Sequence, residues 1–293
     1  MFRLKTMAIA VLLLASLGHG VAAQSVPVGP QYDSTHVYVA SDQLDPFVAS
    51  FIATFGGQAT KAAVMDVTPT PSSTAFRAVI TPVGLLSVFA FQTPIPYPFG
   101  DERTGYLVAD MDAAVTAARR DGAEVVVAPF PDPIGRDAVI RWPGGVNMQL
   151  YWHTTPPSYP ALATVPENRV YVSSARADVF VRDFLAFSGG HALSDDRTAP
   201  GAEIARPGET YRRIRLNSRF GKMTVLVTDG HLAWPYGREL TGYEVSNLSA
   251  TLAKARAAGV EVLAGPYSAD HRDAVMVRFP GGYIAEIHAP RSQ

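Results

Sequence analysis

The segment Pro98-Phe99-Gly100-Asp101-Glu102-Arg103-Thr104-Gly105-Tyr106-Leu107-Val108 recurs as Pro235-Tyr236-Gly237-Arg238-Glu239-Leu240-Thr241-Gly242-Tyr243-Glu244-Val245. The offset, from 98 to 235, is 137 residues. Pro143-Gly144-Gly145 recurs at the same offset as Pro280-Gly281-Gly282. Self-similarity at a fixed spacing is the signature of a duplicated structural unit, so the chain is interpreted as a tandem repeat.

Two shorter matches extend the repeat towards both ends of each half. They pair Arg136-Asp137-Ala138-Val139 with Arg272-Asp273-Ala274-Val275, and Thr35-His36-Val37-Tyr38-Val39 with Asn168-Arg169-Val170-Tyr171-Val172. Residues 154–166 between the halves are rich in proline and polar residues, as is typical of a linker. The predicted domains are therefore residues 33–153 and residues 167–290.

Each half contains a finer repeat of secondary structure. Residues 35–41 alternate in the manner of a strand, and residues 44–55 place apolar side chains at helical spacing. Three strands are predicted next, at residues 62–67, 75–81 and 85–91. The order then repeats, with a strand at 105–108, a helix at 111–120 and strands at 124–128, 137–141 and 147–152. This pattern predicts an α+β fold of four βαβββ modules.

Composition excludes several classes of function. Hydrophobic residues make up 47% and charged residues 17% of the 293 residues, which is typical of a globular protein. The net charge of -1 provides no basic surface for nucleic acid. The chain has no cysteine, so disulfides and zinc-thiolate sites are excluded. Nothing in the sequence fixes an oligomeric state.

The N-terminus has the features of a signal peptide. Arg3 and Lys5 precede an apolar run at residues 7–17, and small residues lead to Ala23. The run is shorter than the roughly 20 residues that a membrane-spanning helix needs. We therefore expect cleavage of residues 1–23 near Ala23 and a soluble mature protein that is periplasmic or secreted, with no transmembrane segment.

The modules and their sequence resemble the vicinal oxygen chelate superfamily, which includes glyoxalase I, bleomycin resistance proteins and extradiol dioxygenases. The resemblance covers nearly all of the mature chain. Its clearest segments are Tyr106-Leu107-Val108-Ala109-Asp110-Met111, Pro143-Gly144-Gly145-Val146-Asn147-Met148-Gln149-Leu150 and Pro280-Gly281-Gly282-Tyr283-Ile284-Ala285-Glu286-Ile287. It implies two domains in which curved mixed sheets form a cup, with a divalent metal held by histidine and glutamate in catalytic relatives.

The resemblance places the metal positions on residues that form a poor site. In the first half they are His36, Val88, Gly105 and Gln149; in the second half they are Arg169, Val225, Gly242 and Glu286. Catalytic metal sites usually have at least three protein ligands, so we predict no metal cofactor. If a divalent metal does bind, His36, Gln149 and Glu286 are the candidate ligands, and His36 meets Glu286 only if the first module shares a cup with the fourth.

Further residues are expected to face the cups beside these positions, because residues two apart in a strand lie on the same face of the sheet. Tyr38 follows His36 and Tyr151 follows Gln149, while Tyr171, Glu244 and His288 follow Arg169, Gly242 and Glu286 in the second half. We expect these residues to bind a small molecule, with Glu286 and His36 as candidate catalytic residues. The alternative interpretation of the second half is a buried ion-pair network that holds the cup together, or residues at its rim that face solvent.

Three functions remain open from the sequence. The first is an exported, glyoxalase-like protein that binds a small molecule in a cup with an incomplete metal site. The second is a lyase, isomerase or dioxygenase that acts on a small oxygenated substrate. The third is a degenerate scaffold for contact with a partner protein.

Overall fold

The computed structural model describes residues 26–32, 34–100, 104–269 and 271–291. A strand followed by a helix and further strands occurs four times, and we number these units one to four. Unit one contains β1 (Thr35–Tyr38), α1 (Leu44–Phe55), β2 (Gln58–Ala59), β3 (Ala63–Met65), β4 (Thr74–Thr81) and β5 (Gly84–Phe91). Unit two contains β6 (Gly105–Leu107), α2 (Met111–Arg120), β7 (Glu124–Asp132), β8 (Gly135–Arg141) and β9 (Asn147–His153).

The second half repeats this order. Unit three contains β10 (Val165–Val172), α3 (Ser174–Ser188), β11 (His191–Pro200), β12 (Thr210–Asn217) and β13 (Gly221–Val227). Unit four contains β14 (Leu240–Glu244), α4 (Leu248–Ala257), β15 (Glu261–Ala269), β16 (Arg272–Arg278) and β17 (Ile284–Pro290). The α+β class expected from the sequence is confirmed.

The sheets are mixed because the first strand of each unit lies parallel to the last, while the remaining pairs are antiparallel. Units one and two have separate sheets, with the orders β1-β5-β4-β2 and β6-β9-β8-β7, and β3 also pairs with β4. Units three and four share one eight-stranded sheet, because β10 pairs with β14.

Local sequence signals explain where the helices begin and end. The backbone N–H of Ala113 donates to the Asp110 side chain at 2.9 Å, which caps α2. Asn247 caps α4 in the same way, 2.9 Å from the Ala250 nitrogen. Gly56, with a φ of 82°, ends α1 where a residue with a side chain would be strained.

Two hydrophobic cores join the halves crosswise. Phe51 of α1 packs against Tyr243 and Phe279 of unit four, with ring centroids 5.4 and 5.1 Å apart. Trp142 of unit two packs against Phe187 of unit three at 5.2 Å. Burial of each such side chain contributes about 1.5–3 kcal/mol. One face of every sheet therefore packs against a hydrophobic core, and the opposite face lines a cup.

The structure corrects one match in the sequence repeat. Val139 pairs with Gln149, and Met276 pairs with Glu286, so β8 and β16 correspond at an offset of 137 residues. The match of Arg136-Asp137 with Arg272-Asp273 uses an offset of 136 and is out of register by one residue. Successive residues of a strand face opposite sides, so a shift of one residue reverses which member of each pair faces the cup. Asp137 therefore faces the first cup and Arg272 faces the second, although the two residues are not equivalent in the repeat.

Some sequence-based expectations lie outside the described residues. The predicted signal peptide, residues 1–23, is among them, so its cleavage and export remain predictions. The strand β10 begins at Val165, inside the predicted linker at 154–166. Within the part of the chain that the structure describes, no helix combines the length and the apolar character needed to cross a bilayer.

Candidate functional site

The first cup, which we define as the space between the sheets of units one and two, contains a cavity of about 160 Å³. Alternate residues of β1 and β5 reach it from one side, namely His36 and Tyr38 with Ser87 and Phe89. Residues of β8 and β9 reach it from the other side. A cavity of about 150 Å³ accommodates a benzene ring, so this space fits one ring and a short substituent.

Five aromatic rings of phenylalanine and tyrosine line the cavity. The lining rings are Tyr38, Phe76, Phe89, Phe99 and Tyr151. Phe89 is the centre of this cluster, because it stacks on Tyr38 at 5.3 Å and lies 5.6 Å from Phe76. The His36 imidazole meets the same ring edge-on at 5.6 Å. Such a wall favours a flat, apolar ligand.

A smaller polar group faces the same cavity. The Gln149 amide donates a hydrogen bond to the Asp137 carboxylate at 3.0 Å, and both side chains are buried. His36, which is only 1% exposed, also lines the cavity. The hydroxyl of Tyr151 accepts from the backbone N–H of Tyr32 at 3.0 Å, which fixes that ring. The cavity thus presents an imidazole, a carboxylate and an amide to a ligand.

The second cup, the equivalent space in units three and four, is occupied by a buried network of ion pairs. Arg169 is its centre: its Nη1 lies 2.9 Å from Glu167 Oε1 and its Nε lies 3.1 Å from Glu286 Oε2. Arg272 contacts the same two carboxylates at 2.9 and 3.6 Å. Buried charges are tolerated only when paired in this way.

Neutral side chains complete the network. The hydroxyl of Thr224 donates to Glu167 at 2.7 Å, and the hydroxyl of Tyr267 donates to Glu286 at 2.7 Å. His288 Nδ1 lies 3.2 Å from Glu286 Oε1. In unit three, Arg213 of β12 and Glu203 form another buried ion pair, 2.5 Å apart.

The network shifts the pKa of its members. Burial raises the pKa of Glu286, but the charges of Arg169 and Arg272 and the bond to His288 outweigh it and lower the pKa to about 2. The pKa of Glu167 is held well below its usual range, because Arg272 and Arg169 outweigh the effect of burial. Burial and the Glu286 charge raise the pKa of Tyr267 well above its usual value.

The residues predicted from the sequence fall into two separate groups. His36, Tyr38, Gln149 and Tyr151 line the first cup. In the second half, Arg169, Glu286 and His288 are buried together. Unit one encloses its cavity with unit two, so the arrangement in which His36 would meet Glu286, a cup shared by units one and four, does not occur.

Two predicted residues of the second half lie at the edge of this network. Tyr171 is partly buried, and its pKa is raised to about 12 because burial outweighs the nearby Arg169 charge. The Glu244 side chain is 58% exposed, and its carboxylate lies 3.9 Å from His288 Nε2. Glu244 therefore lies outside the buried group that the sequence led us to expect.

Two of the predicted metal positions, one in each half, are displaced by one residue along their strands. His36 pairs with Ser87 across β1 and β5, whereas Val88 faces the hydrophobic core. In the second half Arg169 pairs with Thr224, and Val225 faces the core. The positions that face the cups are therefore Ser87 and Thr224, and the predicted positions Val88 and Val225 are wrong.

A divalent metal does not fit the donors of either cup. In the second cup, a cation would have to displace the Arg169 guanidinium from Glu286, and arginine does not lose its charge. The first cup offers the imidazoles of His36 and His153 and the carboxylates of Asp132 and Asp137, but the Asp137 carboxylate already accepts from an amide. Among the described residues, no group of three His, Cys, Asp or Glu side chains is arranged to hold a metal.

Several residues of the second cup were missed from the sequence. Glu167 precedes Arg169 by two residues, so strand alternation could have identified it had the strand been extended back by one residue. The repeat match pairs Arg272 with Arg136, so the sequence does not indicate that Arg272 faces the cup. Tyr267 carries no signal that distinguishes it from any other tyrosine in a strand.

Comparison with solved structures identifies the architecture. The chain is similar to a mutant of 4-hydroxymandelate synthase from Streptomyces coelicolor, with a TM-score of 0.57 and 15% identity over 92% of this chain and 94% of that one. It is also similar to the Mn(II)-bound glyoxalase from Novosphingobium aromaticivorans, with a TM-score of 0.53 and 14% identity over 91% and 83% of the two chains.

A third similar structure is the 2,3-dioxygenase LapB from Pseudomonas sp. KL28, with a TM-score of 0.52 and 12% identity over 92% and 94% of the two chains. No protein-family model matches the sequence, and no curated protein matches it either. At these identities the similarity establishes the fold alone. The chain has the fold of the vicinal oxygen chelate superfamily.

Proposed function

We propose that the protein binds a small molecule with one ring in the first cup, while the second cup serves as a closed structural half. The observation that supports this proposal is the cavity of about 160 Å³ between the sheets of units one and two. At the equivalent place in the second half, the residues Arg169 and Arg272 are 2% and 6% exposed and are held by carboxylates.

The lining explains which molecules the cavity favours. Ring stacking on Phe89 and Tyr38 supplies most of the contact, and His36 and Gln149 supply directional hydrogen bonds. Ligand sites commonly combine an apolar wall with a few such polar groups. Since the donors of neither cup fit a metal, binding in this proposal requires none.

Ligand-observed NMR with benzyl alcohol and similar one-ring compounds tests the proposal. Wild-type protein should show saturation transfer to the ring protons. Ser87→Leu, which places a larger side chain in the cavity, should lose the signal. Val64→Thr is the control, because Val64 lies in the same sheet on β3, which pairs with β4 and not with β5, and is 64% exposed. Equal signals from all three proteins would contradict the proposal.

Catalysis is a second candidate, favoured by the placement of the His36 imidazole and the Asp137 carboxylate at the same cavity. Such a pair can move a proton to or from a bound carbonyl compound. The measurement is deuterium exchange into the methyl group of acetophenone in D₂O. Catalysis requires exchange that is faster with wild-type protein than with His36→Gln; equal rates would exclude this candidate for that substrate.

A further inference from the structure

The two cups are equivalent position by position. His36 pairs with Ser87 as Arg169 pairs with Thr224. Gln149 lies beside Gly105 as Glu286 lies beside Gly242. The second cup can therefore be compared directly with the first, and each difference between them can be assigned to a residue.

The second cup holds an organic cation on carboxylates; in the first cup Gln149 stands in the place of Glu286, and the buried carboxylate is that of Asp137 instead. The centre of the second cup holds the guanidinium of Arg169, an organic cation, between the carboxylates of Glu167 and Glu286. Arg272 supplies a second guanidinium, and its register position in the first half is occupied by Gly135. The first cup thus has an imidazole and a glycine where the second has two long cationic side chains.

The lining of the first cavity has the composition of a cation site. Two carboxylates, from Asp132 and Asp137, accompany the aromatic wall. Among the described residues that line the cavity, none is lysine or arginine. A cation within about 6 Å of an aromatic face is attracted by the ring, and the attraction increases when water is excluded.

We propose that the ligand of the first cup is an organic ammonium ion attached to one ring. In this arrangement the ring stacks on Phe89, and the ammonium group lies near Asp137. This inference rests on the proposed binding function and adds the charge of the ligand to it.

Three probes of similar shape distinguish the effect of the ligand's charge on affinity from the effect of its ring. Benzylammonium, benzyl alcohol and benzoate carry positive, neutral and negative groups on the same ring. Isothermal titration at neutral pH should give tightest binding for benzylammonium, by about tenfold over benzyl alcohol, with benzoate the weakest. Tenfold corresponds to about 1.4 kcal/mol, and we assign this preference to the contact between the ammonium group and the buried Asp137 carboxylate.

Two variants test the residues. Asp137→Asn keeps the shape of the side chain but removes its charge, so the preference for benzylammonium over benzyl alcohol should fall about tenfold while benzyl alcohol still binds. His36→Arg places a guanidinium at the position that corresponds to Arg169 and should abolish binding of benzylammonium. Asp112→Asn, on the exposed side chain that pairs with Arg136, is the control and should bind all three probes as wild type does.

The outcomes distinguish the two proposals. If none of the probes binds, the proposed binding function fails. If benzyl alcohol or benzoate binds as tightly as benzylammonium, the cup binds rings but the inference of a cationic ligand is wrong. An unchanged preference in Asp137→Asn would also overturn it, even if His36→Arg fails to fold.

Discussion

Arg169 Nε and Glu286 Oε2 lie 3.1 Å apart in the second cup, and the two side chains are 2% and 1% exposed. In the equivalent positions of the first cup stand His36 and Gln149, which line an open cavity. Together with Glu167 and Arg272, this pair occupies the space in the second cup that is a cavity in the first.

The first prediction concerns the stability of the closed half. Arg169→Met should lower the free energy of unfolding by about 3–5 kcal/mol, because Glu167 and Glu286 would remain buried without their central partner. Urea unfolding followed by circular dichroism measures this. Arg136→Met is the matched control, since the Arg136–Asp112 pair is exposed and should contribute at most about 1 kcal/mol. Equal losses in the two variants would show that the network is not needed.

The second prediction concerns the effect of acid. The pKa of Glu286 is lowered from 4.5 in its ordinary state to about 2 in the folded protein. The unfolded state therefore binds more protons, so the contribution of Glu286 to stability is complete above pH 4.5 and is lost as pH falls towards about 2.

Urea midpoints measured across this window should decrease with falling pH, and Glu286→Gln should flatten the decrease, although it also weakens the protein at neutral pH. Glu167, whose pKa is likewise lowered, should maintain part of the slope in that variant. A wild-type midpoint that is constant across the window would contradict the assignment.

The third prediction concerns metal. Protein dialysed alone, or with zinc, manganese, nickel or iron, should retain no stoichiometric metal, because a cation in the second cup competes with two guanidinium groups. Elemental analysis is the measurement. Stoichiometric metal that disappears in Glu286→Ala or His288→Ala would overturn the prediction for the second cup. Loss in His36→Ala would instead place a metal in the first cup.

The fourth prediction concerns the N-terminus. The charged start, the apolar run and the small residues before Gln24 predict removal of residues 1–23 during export. Intact-mass analysis of the exported protein should show a chain that begins at or near Gln24. Retention of Met1 on most molecules would refute cleavage, and lysine residues in place of Leu12 and Leu13 should prevent export by interrupting the apolar run.

Local sequence patterns determined most of the secondary structure. The predicted helices at residues 44–55 and 111–120 have the same bounds as α1 and α2, because apolar spacing and a terminal glycine are local signals. The repeat at an offset of 137 residues determined that the second half repeats the first. The fold class followed from these patterns without any long-range contact.

Only the tertiary structure decided what each cup contains. Arg136-Asp137 and Arg272-Asp273 read alike in sequence, yet the acid faces the cup in one half and the base faces it in the other. A strand reverses the direction of its side chains at every residue, so a shift of one residue exchanges a carboxylate for a guanidinium. The Glu167–Arg272 pair joins residues that are 105 positions apart, and no local pattern can specify such a contact.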